Sequence, residues 1–247
     1  MDCLLLAAGY ATRLYPLTER MPKPLLKVKG KFILDWIVDD VDRLNRVSRF
    51  VVVSNHKYYK NFLDWKADKK TKADIVVLDD GTESNETRLG AVADIALAVD
   101  RLSLHEDLLV AAGDNVLDFS LGRLLDYFDQ KKAPCVMRYY EDNPAVLKKG
   151  GVMEVNDCDQ AVSMEEKPER PKANWLIPPF YCYPKETLPM IAQGIRAGCQ
   201  TDAPGSFFAW LCKQRPVYAM KMPGKRYDIG DLKSYRLAQE QYPGILY

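Results

Sequence analysis

The stretch "LLLAAGYATRLYPLTERMPKPLL" (Leu4–Leu26) decides how the rest of the chain is read. Its apolar run, Leu4 to Leu6, is the length of a buried strand and too short for a buried helix. Gly9 removes a side chain just after that strand and lets backbone N–H groups approach an anion closely. Arg13 then offers a planar fork for phosphate oxygens, and Lys23 offers a point charge on a backbone stiffened by Pro22 and Pro24. A hydrophobic core has no use for two cations on one long loop, so the loop is predicted to face something negative. It is neither a dinucleotide fingerprint nor a P-loop: Ala11 stands at the second glycine of G-x-G-x-x-G, and no G-K-[ST] ending follows.

Outward from this strand, short apolar runs alternate with amphipathic ones. "FILDWIVDDVDRL" reads as a helix with Ile33, Trp36, Ile37 and Val41 on one face, and "RFVVVSN" as the next strand. A helix around "YYKNFLDW", the strand "DIVVLDD", the helix "LGAVADIALAVD" and the strand "DLLVAAGD" continue the series. This β-α-β-α-β-α-β succession predicts an α/β fold, one α/β/α domain whose mixed, mostly parallel central sheet carries helices on both faces. The second half differs in texture. "APCVMRYYE", "GGVMEVND" and "QAVSMEEKP" are strand-like runs between turns, so antiparallel strands and long loops are expected from 134 to 183, with a helix only after Pro184. Helices at about 185–197 and at "SFFAWLCK", a strand at "PVYAMKM" and a last helix after "DIGD" complete the series. The expected organisation is one domain over 1–247, with halves at 1–130 and 131–247.

Composition narrows the function classes. The 247 residues carry a net charge of +1, which argues against a nucleic-acid binder, because affinity for a polyanion rests on clustered Lys and Arg. No window approaches the roughly 20 apolar residues that cross a bilayer, so no membrane partner is expected. Asp2 stands where a secretory signal would carry Lys or Arg, and the expected location is cytoplasmic. The six cysteines are widely spaced, with no C-x-x-C pair and only two histidines in the chain, a pattern that predicts reduced thiols and no zinc site.

In a parallel sheet the strand C-termini open onto the ligand-binding edge, and three further stretches fall there. In "VAAGDN", Asp114 ends a buried strand, where a carboxylate is costly unless a partner or a metal meets it. In "SMEEKPERP", the adjacent Glu166 and Lys167 point to different places in extended chain and can serve different parts of a ligand. In "GKRYDIGD", Asp228 is a second carboxylate able to join Asp114 across one metal, whereas Asp231 reads as the N-cap of the last helix.

The array G-Y-A-T-R-L, P-K-P, A-G-D-N, E-E-K-P and Y-D-I-G-D, in that order and spacing, resembles the sugar-1-phosphate nucleotidylyltransferases (nucleotide-sugar pyrophosphorylases), among them the glucose-1-phosphate thymidylyltransferases. The resemblance covers nearly the whole chain. It implies a glycosyltransferase-A-like, Rossmann-like fold and a magnesium-dependent enzyme joining a nucleoside triphosphate to a sugar 1-phosphate. By the same resemblance Ala8, Gly9, Ala11, Thr12, Thr87, Gly90 and Asp114 would bind the nucleotide, and Arg13 and Lys23 would be catalytic. Gly151, Glu166 and Lys167 would bind the sugar phosphate, and Asp114 and Asp228 would hold Mg²⁺. A homo-oligomer is compatible with the resemblance.

Two stretches depart from the pattern. "NETRLGA" places Thr87-Arg88-Leu89-Gly90 where many thymidylyltransferases carry a base-reading glutamine, which leaves the base open. "KKGGVMEV" has Gly150 where an aromatic residue commonly precedes the glycine matched by Gly151. A looser pocket would also admit a non-sugar phosphomonoester such as phosphocholine, and Tyr139, Tyr140, Trp175, Phe180 and Tyr181 are the aromatic residues that would cage its quaternary amine. A rival of another class is a catalytically silent regulatory subunit that binds a nucleotide sugar.

Overall fold

The computed structural model describes residues 1–247. In chain order it opens with β1 (Asp2–Leu6), β2 (Lys27–Val28), β3 (Lys31–Phe32), α1 (Ile33–Arg43), β4 (Arg49–Ser54), α2 (His56–Asp68) and β5 (Asp74–Asp79). Next come α3 (Ala91–Arg101), β6 (Leu108–Ala112), β7 (Asn115–Leu117), α4 (Gly122–Lys131), β8 (Cys135–Tyr140), α5 (Pro144–Leu147), β9 (Gly151–Val155) and β10 (Ala161–Glu166). The chain finishes with β11 (Trp175–Ile177), β12 (Phe180–Tyr183), α6 (Leu188–Arg196), α7 (Gly205–Leu211), β13 (Tyr218–Lys221), β14 (Arg226–Asp228) and α8 (Leu232–Gln241). These elements form two compact units that are not consecutive in sequence. The first comprises Met1–Arg88, Ala111–Gly122 and Pro223–Tyr247, and the second Leu89–Val110 and Arg123–Met222.

In the first unit β1, β4 and β5 run parallel, with Leu4 opposite Val51 and Val51 opposite Val76. Their near-continuous Val and Leu content is what strands covered on both faces require. Past the end of β6, Gly113 donates its N–H to the Leu6 carbonyl (2.9 Å), which sets that strand end beside the end of β1. Helix α1 buries Ile33, Leu34, Ile37, Val38 and Val41. Trp36, expected on the same face, is partly buried against the cluster that holds Ile33: its indole N–H donates to the Val28 carbonyl (3.1 Å) and its ring meets Tyr242 edge-on at 5.1 Å. A separate apolar cluster of Leu14, Val28, Ile33, Val116, Ile229 and Tyr242 packs the opening loop against β7 and the segment after β14. Strands β7 and β14 pair antiparallel with Asn115 opposite Asp228. Asp231 caps α8 as the sequence predicts, in a reciprocal box with Ser234.

The second unit is built around β8, whose Cys135, Val136 and Met137 are fully buried. It pairs antiparallel with β11 and β12 and parallel with β13, while β9 pairs antiparallel with β10 and β11. The predicted change from parallel to antiparallel pairing after about residue 134 is therefore present. The expectation of a helix only after Pro184 is corrected by α5, a single turn that starts at Pro144 and is capped by the Asn143 side chain. Helix α4 also went unread, although Leu124, Leu125 and Phe128 give it a buried stripe. Tyr183 packs against Phe207 and Phe208 at centroid distances of 5.5 and 6.1 Å, which carries α7 on β12.

All six cysteines are free thiols. Burial pushes Cys135 and Cys212 up to about 12, so neither supplies a thiolate near neutral pH. No helix is long and apolar enough to cross a membrane.

Candidate active site

Within the first unit, the loop after β1, the tip of β6 and the segment after β14 enclose a cavity of ≈ 200 Å³ lined by Leu6, Ala7, Gly9, Ala11, Arg13, Leu14, Lys23, Pro24, Asp114 and Gly230. Ala11 adopts the left-handed conformation (φ 48°) and starts the 3₁₀ turn Thr12–Leu14. Exposed Gly9 has open space where a Cβ would stand. The loop is anchored from beneath. Buried Asn55 donates from Nδ2 to the Ala8 carbonyl (2.9 Å) and accepts the Tyr58 N–H at Oδ1 (3.1 Å). Thr18 donates its hydroxyl to the Ala11 carbonyl (2.8 Å), and the Tyr10 hydroxyl lies 3.2 Å from that of Thr82.

Lys23 is 7% exposed, and its ammonium donates to Asp114 Oδ2 at 2.8 Å. Asp114 Oδ1 accepts from the Asn115 side chain at 2.5 Å. Desolvation pushes the Asp114 carboxyl up, but the charge and hydrogen bond of Lys23, with help from Arg226, outweigh it and hold the group below the ordinary aspartate value. Arg226 escaped the sequence reading. It donates to Asn115 Oδ1 (2.9 Å) and lies 3.7 Å from Asp228 Oδ2, which ties the two carboxylate-bearing segments together. Its signal was present in "GKRYDIGD" as a cation two residues before Asp228.

Two carboxylates, Asp114 and Asp228, are of the chemistry that suits a hard divalent cation; Asp114 lines the cavity and Asp228 does not. Asp114 is half-buried and held ionised, Asp228 is exposed, and Asn115 beside Asp114 faces Asp228 across the β7–β14 ladder. No third His, Cys, Asp or Glu joins them. One or two carboxylates with the remaining positions left to water and phosphate oxygens is the arrangement magnesium takes.

The second unit gathers the other predicted residues. Glu166 stands opposite Gly151 in the β9–β10 ladder, and Lys167, in the left-handed region at φ 48°, donates its N–H to the Gly150 carbonyl (3.0 Å). The Lys167 ammonium meets Asp202 Oδ2 at 3.0 Å. Burial raises the Glu166 carboxyl to about 7, with Lys167 opposing the rise and Asp202 adding to it. Gly90 (φ 92°) starts α3 against the 201–202 backbone, where a Cβ would stand 2.5 Å from the Thr201 carbonyl oxygen. Gly150, by contrast, has room for a side chain: a Cβ there would have Leu176 as its nearest neighbour, at 3.5 Å.

Thr87 does not line the first-unit cavity. Its hydroxyl closes the turn Ser84–Thr87 by donating to the Ser84 carbonyl (3.1 Å). Of the aromatic residues expected to form a cage, Tyr140 is exposed and meets the Trp175 ring edge-on at 5.8 Å, while the others have further contacts. Phe180 and Tyr181 are buried, Tyr139 packs on Leu147, Val152 and Leu176, and the Trp175 ring already has Arg138 at 4.9 Å and Lys221 at 5.8 Å. His56, paired with Asp79 at 2.6 Å, and His105 are both exposed and outside the cavity lining.

Known proteins share both the sequence pattern and this architecture. The profile of the family described as Nucleotidyl transferase matches residues 2–244. The chain is 28% identical over 232 residues to the UTP–glucose-1-phosphate uridylyltransferase AglF of Haloferax volcanii, covering 93% of this chain and 91% of that protein. It is 29% identical over 236 residues to the bifunctional protein GlmU of Methanococcus aeolicus, again over 93% of this chain but 51% of the relative. With the glucose-1-phosphate adenylyltransferase of Bacillus subtilis it shares 26% identity over 94% of this chain and 64% of the other. The chain thus spans about half the length of the GlmU relatives and nearly all of AglF. Two solved structures of UDP-glucose pyrophosphorylase, one complexed with UDP-glucose and one without ligand, superpose with TM-scores of 0.82 and 0.80 at 19% and 18% identity. Each covers 98% of this chain and 97% of its own. That likeness shows the α/β fold over the whole chain.

Proposed function

The chain belongs to the nucleotidyl transferase family, and on that premise we propose that it condenses a nucleoside triphosphate with a sugar 1-phosphate to give a nucleotide sugar and pyrophosphate, with Mg²⁺ as cofactor. The observation that carries this reading is the Lys23–Asp114 pair, a nearly buried ammonium set against a half-buried carboxylate in a cavity edged by Gly9 and Arg13. The relatives named as uridylyl- and adenylyltransferases of glucose 1-phosphate support the substrate class.

The chemistry is an in-line displacement. A phosphomonoester oxygen attacks the α-phosphorus, the bond from that phosphorus to the bridging oxygen of the β-phosphate breaks, and pyrophosphate leaves with the electron pair. Two polyanions must first be brought together, so cations are the main requirement. Arg13, exposed at the cavity mouth, clamps the leaving phosphates, and Lys23 meets charge developing on the α-phosphate. Lys167 meets the acceptor's phosphate, and Glu166 accepts from its hydroxyls. Asp114 and Asp228 are the residues that would hold a divalent cation, whose chemistry when bound would be to neutralise phosphate charge. The attacking phosphate is ionised near neutral pH and needs no general base, which accords with the exposure of both histidines outside the cavity lining.

Retention of Arg13, Lys23, Asp114, Glu166, Lys167 and Asp228 together argues against a catalytically silent role, and the burial of Phe180 and Tyr181 removes two of the five aromatic residues from a choline cage. The six free thiols suit a cytoplasmic setting. The test is pyrophosphate release from the purified protein with each of five nucleoside triphosphates against several sugar 1-phosphates and phosphocholine, with and without Mg²⁺. Turnover with at least one sugar 1-phosphate is expected. Nucleotide binding without turnover in every combination would replace the enzyme reading with the silent one.

A further inference from the structure

The Glu166 carboxylate occupies a slot that only missing side chains leave open. Its Oε2 lies 2.0 Å from where a Cβ on Gly205 would stand and 3.0 Å from the corresponding position on Gly151. Neither glycine is demanded by its backbone, since Gly151 is an ordinary strand residue and Gly205 opens α7 outside the left-handed region. At Gly151 the Met164 terminal methyl also crowds the position, at 2.7 Å. At Gly205 the nearest atoms are the Glu166 carboxyl group and, at 3.2 Å, the Tyr181 hydroxyl. Space for one carboxylate is therefore the physical account of glycine at 205.

We propose that Gly205 is a positioning and specificity-determining residue of the acceptor site: the missing side chain fixes where the Glu166 carboxylate stands, and thereby which hydroxyl-bearing phosphomonoester is accepted. This rests on the sugar-phosphate reading of Glu166 given above. The atom that must yield to a methyl group is the tip of a flexible side chain and not backbone, so alanine at 205 moves the carboxylate and spares the fold. The displacement needed to leave forbidden contact is about 1 Å, and a misplacement of that size is enough to cost about 100-fold in a positioned interaction. Crowding of the carboxyl group in this slot agrees with the desolvation that raises the proton affinity of Glu166.

The test is a double-mutant cycle with Gly205→Ala, Glu166→Asp and the combination, measured with a sugar 1-phosphate turned over by the wild type. Gly205→Ala is expected to raise the acceptor KM at least tenfold while the nucleoside triphosphate KM stays within twofold. Aspartate is one methylene shorter and vacates the methyl position, so adding Gly205→Ala to Glu166→Asp is expected to cost less than a further twofold. An equal penalty in both backgrounds, or an unchanged acceptor KM in a folded Gly205→Ala protein, overturns the proposal. If Gly205→Ala alone does not fold, thermal denaturation of the double variant decides: recovery supports the slot and persistent unfolding overturns it. Were the wild type to release no pyrophosphate with any substrate pair, the functional reading would fail, and the same thermal comparison of the four proteins would still judge the relation between Glu166 and Gly205.

Discussion

The ammonium of Lys23 and the carboxylate of Asp114, 91 positions apart in sequence, meet at 2.8 Å. The pair keeps a nearly buried positive charge satisfied, and under the proposed function a substrate phosphate would share that cation with Asp114. A charge of this kind is costly to leave alone and well placed to stabilise an anion formed during reaction.

Replacing Lys23 with alanine is expected to lower turnover by about 10²- to 10³-fold, the range for deleting a preorganised charge-stabilising group. Steady-state pyrophosphate release on a variant with native circular dichroism checks this. The substitution also frees the Asp114 carboxyl to rise from its depressed value. Because the folded pKa of Asp114 lies below its unfolded one, its contribution to stability is present above the ordinary aspartate range and is lost as pH falls through the folded value. Lys23→Ala should blunt that acid-limb loss in a thermal titration.

Asp114→Asn and Asp228→Asn should each raise the Mg²⁺ concentration for half-maximal activity, by about 10- to 100-fold, as is typical when a metal site is weakened. An unchanged Mg²⁺ requirement for Asp228→Asn alone would reduce Asp228 to a partner of Arg226.

Glu166 sets a pH dependence of opposite sign. Its folded value of about 7 exceeds the ordinary carboxyl value of 4.5, so between these limits the folded protein keeps a proton that the unfolded chain releases. Stability attributable to this group therefore falls as pH rises from about 4.5 to about 7. Glu166→Gln should remove that loss, so the difference in Tm between variant and wild type grows across the window and levels off above it. Acceptor affinity should move the other way, strengthening in the wild type as the carboxylate forms. Comparison with Glu166→Gln separates this effect from titration of the substrate's own phosphate.

Gly90→Ala should destabilise the protein by about 2–4 kcal/mol in urea unfolding, the range for a backbone that glycine alone accepts combined with a steric clash. The clash is with backbone, at 2.5 Å from the Thr201 carbonyl oxygen, and no rotamer change relieves it. Alanine tolerated within 0.5 kcal/mol would show that α3 can begin differently.

How much of this was legible in the sequence depended on distance along the chain. The strands of the first unit announce themselves in runs such as Leu4–Leu6 and Val51–Val53, and Asp231 declares its cap through Ser234 three residues on. Lys23 and Asp114 were each readable as candidates, but their direct contact was not, because nothing local links positions so far apart. Arg226 escaped because its role arises from pairing β14 with β7, and Gly205 because its meaning is the position of another residue's carboxylate. At Thr87 the structure adds a short-range contact, the hydroxyl bond to Ser84 that closes its own turn. Helix α5 was hidden by its length, since one turn leaves no periodicity to read.

The cavity draws its wall from three separated pieces of chain, with Gly9, Arg13 and Lys23 from the first, Asp114 from the second and Gly230 from the third. During translation the first two pieces leave the ribosome well before the last. Until β14 and α8 emerge, Val116 and Leu14 lack the Ile229 and Tyr242 that cover them, and the nascent loop has nothing to pack against. Completion of the cavity thus waits on the segment that begins at residue 223, and a ribosome stalled before it should expose a chain that chaperones recognise and that lacks the finished cavity.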